Sequence, residues 1–155
     1  MHPFLTPLPL ETLRAAGVPA PFRFGMADRV RFGELDVLGH VNNAAYLAWF
    51  ENFRIHYFRD YGVADYSGAP PRIVLRSVGL EFLSEVLLNQ TYIVTGRTVS
   101  YRTTSFAMEY GVWINGRLTT KGSAVIVNLD HSGNKQPLPP KWIEGFQKID
   151  GAEQH

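Results

Sequence analysis

The sequence predicts an α+β fold in which an antiparallel sheet of about five strands wraps around one long central helix. Three observations predict it. Ala44 to Tyr61 is the only long helical candidate, free of Pro and Gly and apolar around most of its circumference. After Pro70-Pro71, four segments rich in Val, Ile, Thr, Phe and Tyr follow one another. Asn115-Gly116 joins the last two of them and is a strong two-residue hairpin signal. An antiparallel sheet needs one face covered, and one helix laid across a curved sheet covers it.

The elements follow in order. Residues 1–22 hold five of the ten prolines and read as an N-terminal extension packed on the surface, with one or two helical turns over Leu10 to Ala16. Phe24 to Phe32 alternates imperfectly and predicts a first strand, with Asp28 breaking the pattern. The long helix has Asn42 or Asn43 as its cap and Gly62 after its end. Strands are expected over Ile73–Leu83, Tyr92–Tyr101, Phe106–Ile114 and Leu118–Leu129, with a turn at Arg102-Thr103-Thr104. Lys141 to Gln147 suits a short terminal helix. The expected organisation is an extension (1–22), one domain (23–148) and a short tail (149–155).

Composition narrows the function classes. The chain has 155 residues, 45% hydrophobic and 19% charged, which suits one soluble globular domain. A net charge of +1 gives no reason to expect nucleic acid or an anionic membrane as partner. The absence of cysteine rules out disulfides, thiolate catalysis and Cys-based metal sites. No apolar run is long enough to span a bilayer, and the Pro-broken N-terminus does not read as a signal peptide, so the cytoplasm is the expected location. Scattered histidines and the lack of His-Glu-x-x-His give no metal signature, and no glycine-rich nucleotide motif occurs.

The run Glu34 to Tyr46 carries the chemistry. It leaves a β-like segment (Asp28–Phe32), crosses a polar bend and opens the apolar helix, which sets Asp36 and His40 just before a helix N-terminus. Such a terminus has unpaired N–H groups and about half a positive charge, able to polarise a carbonyl or hold an oxyanion. A carboxylate facing a polarised carbonyl suits acyl transfer or hydrolysis.

The motif Asp36-Val37-Leu38-Gly39-His40-Val41-Asn42-Asn43-Ala44-Ala45-Tyr46 resembles that of the hotdog-fold thioesterases, most closely the 4-hydroxybenzoyl-CoA thioesterase-like acyl-CoA thioesterases. The likeness continues through Trp49-Phe50-Glu51 and Arg54, and more weakly through Gly79 to Leu83 and Ser105-Phe106. It implies hydrolysis of an acyl-CoA or acyl-carrier thioester, no cofactor, and a homodimer or homotetramer. It also implies that Asp36 is the catalytic carboxylate and that the backbone N–H near Asn43 polarises the thioester carbonyl. Three positions depart from related patterns: Leu38 stands where plant acyl-carrier-protein thioesterases have Asn, Glu85 where many relatives have Pro, and Asn89-Gln90 in place of a frequent Gly-Asp turn.

Each candidate residue has a plainer reading beside the functional one. Asp36 attacks the carbonyl or activates a water, or else only accepts loop amides. His40 orients substrate or Asp36, or holds the bend. Glu51, two turns into the helix, is an alternative catalytic carboxylate or the i,i+3 partner of Arg54. Tyr46 and Phe50 line an acyl or aryl pocket or belong to the core. Arg102 and Ser105 meet the pantetheine arm or phosphates, or are solvated turn residues. Two rivals share the fold: a hydratase or dehydratase, whose Asn-Pro-x-His-x-x-Asp loop is absent here, and a non-catalytic acyl-thioester binding module.

Overall fold

Asn42 fixes where the long helix begins. In the computed structural model, which describes residues 1–155, its side chain accepts a hydrogen bond from the Ala45 amide at 3.0 Å. This pairs one of the orphan donors of the first turn. Along the chain run α1 (Leu10–Ala15), β1 (Gly25–Arg29), a 3₁₀ turn (Phe32–Glu34), α2 (Asn43–Asp60), β2 (Arg72–Phe82), β3 (Thr91–Tyr101), β4 (Ser105–Ile114), β5 (Arg117–Leu129), α3 (Pro140–Asp150) and β6 (Glu153–Gln154). The helix α2 stops at Tyr61, and Gly62 reverses the chain with φ of 75°.

The strands form one sheet in the order β1-β3-β4-β5-β2, antiparallel throughout, with β6 pairing in parallel against the end of β3. The β4–β5 hairpin turns on Asn115 and Gly116, both with positive φ as this tight turn demands. Two expectations are corrected. The first strand stops at Arg29 instead of reaching Phe32, because Asp28 is clamped by the Arg31 guanidinium at 2.9 and 3.0 Å and the chain then coils into the 3₁₀ turn, leaving Phe32 exposed. The terminal helix is longer than Lys141–Gln147, opening on Pro140 and closing at Gly151 in a left-handed conformation.

The apolar face of α2 lies against the inner face of the sheet. Gly96 and Gly122 permit the close approach: a Cβ on either would stand 2.5 Å from Phe53 Cε1 or 2.6 Å from Phe50 Cε2. The outer face of β1, β3 and β4 is covered by the N-terminal segment, where Leu8, Leu13 and Val18 bury Ala27, Ile93 and Trp113. At the other margin, β2 is an open edge. A bulge near Arg76 shifts its register, so Ile73 and Leu80, on opposite sides of it, both turn toward the core.

Candidate active site

The turn before α2 is held from three sides. The Asp36 amide donates to the His40 carbonyl at 2.8 Å, the Val41 amide to Val86 at 2.8 Å and the Asn42 amide to Glu34 at 2.9 Å. Gly39, with φ of 78°, supplies the reversal. Glu34 is anchored in turn, since Trp49 Nε1 on α2 donates to its carboxylate at 2.5 Å. The loop thus sits rigidly on the helix it precedes.

This frame orients the Asp36 carboxylate. Oδ1 accepts the Leu38 amide at 2.9 Å and the His40 amide at 3.2 Å. Oδ2 accepts no hydrogen bond from the chain and remains available for chemistry. The Asn43 and Ala44 amides, first in α2, likewise donate to nothing in the chain. Asp36, His40, Asn43 and Tyr46 line one hollow of about 340 Å³ with Phe82 and Glu85. Tyr46 packs edge-on against Trp49 and Phe82, and burial pushes its hydroxyl above the usual tyrosine range.

The structure brings two further residues to this hollow. Glu85 Oε2 lies 2.9 Å from His40 Nε2. Ser84 also lines it, with a buried hydroxyl that has no partner. In the sequence Glu85 stands out only as a departure from relatives, and nothing there signals Ser84. The segment that carries them reaches the site through the Val41–Val86 backbone bond, a pairing no local pattern encodes.

Other candidates lie elsewhere. Phe50 is fully buried and stacks on Tyr110 at 4.5 Å, within the core. Glu51 is exposed and lines a separate hollow farther along α2. The Glu51–Arg54 pair does not form, because Arg54 turns inward and donates to the Tyr110 hydroxyl at 3.0 Å. Arg102 and Ser105 share a third hollow with Arg76, Ser77, Ser100 and His155. That hollow is at the opposite end of the sheet: Ser105 pairs with Val127, whereas Phe82 of the first hollow pairs with Thr120. Nowhere do three His, Asp or Glu side chains converge as a metal set would.

A carboxylate oxygen and the unpaired Asn43 amide at one hollow make an arrangement suited to attack on a polarised carbonyl. A family model described as "thioesterase-like superfamily" matches residues 30–146. A solved thioesterase-superfamily structure from Jannaschia sp. CCS1 is 46% identical, covers 98% of each chain and superposes with a TM-score of 0.92. A thioesterase from Thermus thermophilus, solved with coenzyme A and Zn, is 34% identical over 82% of this chain and 93% of its own, with a TM-score of 0.73. The Bacillus subtilis protein YsmA, itself uncharacterised, is 26% identical over 74% of this chain and 78% of its own.

Proposed function

The chain belongs to the thioesterase-like superfamily and is a thioester hydrolase, and from that premise we propose that it cleaves the coenzyme A thioester of an organic acid, without a metal, through Asp36. One observation carries the reading: Asp36, whose Oδ2 is free, and Asn43, whose amide is unpaired, border the same hollow. The thioester oxygen accepts a hydrogen bond from the Asn43 amide. Asp36 Oδ2 takes a proton from water, whose oxygen adds to the carbonyl carbon; alternatively Oδ2 adds directly, and water then opens the acyl–aspartyl anhydride. The oxyanion collapses, the C–S bond breaks, and the thiolate leaves and is protonated. His40, paired with Glu85, borders the reacting atoms, and Tyr46 and Phe82 wall the acyl group. The Thermus relative solved with coenzyme A supports the carrier, and a cytoplasmic location goes with it.

The active species in this reading is a homodimer joined along β2. Eleven residues of open edge, with Val74, Leu75, Val78 and Phe82 each at least 41% exposed, lack the usual protection against pairing. Antiparallel pairing sets the Arg72 end of one β2 beside the Phe82 end of the other. Arg102 and Ser105 of one copy then approach the hollow of its partner, where phosphates of the carrier lie. The test is thiol release from acetyl-, octanoyl-, palmitoyl- and benzoyl-CoA in the presence of EDTA. Release from at least one ester is expected. Binding of the esters without release from any of them would make the chain a binding module instead.

A further inference from the structure

Three charged side chains of this chain are buried, and Arg54 is the one with the fewest partners. Asp28 has Arg31, and Asp150 accepts from Tyr57, Tyr61 and the Thr98 amide. Arg54 is 8% exposed, has no carboxylate within ion-pair distance and makes a single hydrogen bond, to the neutral hydroxyl of Tyr110. The Tyr110 ring, 5.9 Å away, adds a cation–π contact but no charge. A guanidinium offers five donors, and burying one uncompensated is costly. None of its nitrogens is sealed without a partner, so the free donors open onto the space that Arg54 lines. That space is a hollow of about 420 Å³ walled by Ile55, Phe58, Ile73, Leu75 and Ile126, with Tyr66 held at a positive φ on its rim. The chain has therefore built an apolar slot with a cation in its wall.

The slot is aligned with the active site. Both hollows lie between α2 and β2: Tyr46 and Phe82 line one, Arg54 and Leu75 the other. From Asn43 to Arg54 the helix rises about 16 Å, and helical side chains lean toward the N-terminus, which shortens the gap. An acyl chain whose carbonyl rests on the Asn43 amide, and which follows α2 from the first hollow toward the second, points at the guanidinium. We propose that the acid released by this enzyme is of medium length and carries a second, terminal carboxylate held by Arg54. The guanidinium fork matches a carboxylate in two parallel hydrogen bonds. Glu51, on the exposed rim of the slot, is water-screened and leaves the inner cation free. The orientation rests on the thioester carbonyl lying at Asn43, as proposed above.

Calorimetry with the free acids tests the site without any turnover. Octanedioic acid should bind at least about tenfold more tightly than octanoic acid, the worth of one charge-assisted hydrogen bond. In Arg54→Gln that ratio should collapse toward one. The same ratio is then read in kcat/KM for octanedioyl-CoA against octanoyl-CoA. If Arg54→Gln does not fold, the comparison in the wild-type protein still decides. Equal affinity and equal rates for the two acids would overturn the proposal. So would loss of self-association in Glu51→Gln alongside equal affinities, because the counter-charge of Arg54 would then come from a second copy. Arg54-dependent binding of the diacid with no hydrolysis of any ester would uphold the site and refute the catalytic reading instead.

Discussion

At Gly122 a single methyl group decides how closely α2 lies on the sheet. The added Cβ would meet Phe50 at 2.6 Å and Tyr110 at 3.2 Å, and both rings are locked in a buried stack. Gly122→Ala should therefore lower stability by about 1–3 kcal/mol, the usual cost of overpacking. Denaturant unfolding measures it, and an unchanged midpoint would contradict the tight helix–sheet contact. The position of Asp36 and His40 beside the start of α2 was legible in the sequence, because both precede the Asn42 cap of an apolar helix, whereas a catalytic role for Asp36 was implied by the resemblance. The placement of Arg54 was not legible. The i,i+3 rule saw Glu51, whereas the partner that forms is Tyr110, 56 positions away and visible only after the sheet has folded under the helix. Glu85 meets His40 by the same kind of long-range closure.

Among the elements, α2, the four long strands and the Asn115-Gly116 turn were readable to within a residue or two, since each has its own periodicity and punctuation. The two-residue β6 had none: it exists because the chain leaving α3 lies beside β3. What fastens α3 was equally hidden. Its last residue, Asp150, accepts hydrogen bonds from Tyr57, from Tyr61 at 2.6 Å and from the Thr98 amide at 2.9 Å, tying α3 to α2 and β3. Burial raises the Asp150 carboxyl above its usual value of 3.8, against the pull of those donors. A raised value means that the folded protein holds this proton more tightly than the unfolded chain does. The stabilisation is thus complete below the ordinary aspartate value and is lost as pH rises through the raised one. Thermal melts of wild type and Asp150→Asn across that window should show the wild-type advantage shrinking as pH rises. An advantage that grows with pH would reverse the sign.

For the molecule as a whole, the layering followed from one helix that needed cover and strands that could supply it. The sequence did not disclose which sheet face the Pro-rich N-terminus would cover, because scattered Leu, Val and Phe residues fit either side. The open β2 edge belongs to this scale too. Val78→Lys places a charge at the middle of the edge, and sedimentation should show a dimer for the wild type and a monomer for the variant. A wild-type monomer would remove the two-copy site. The central claim is that the Asp36 carboxylate cleaves a thioester at the start of α2, and its most direct test is kcat/KM of Asp36→Asn on the best acyl-CoA, beside Glu51→Gln and with thermal melting as folding control. Asp36→Asn should remain folded and lose at least about 10²-fold, the lower range for a lost general base, while Glu51→Gln loses far less. A folded Asp36→Asn protein working at near wild-type rate would contradict the account.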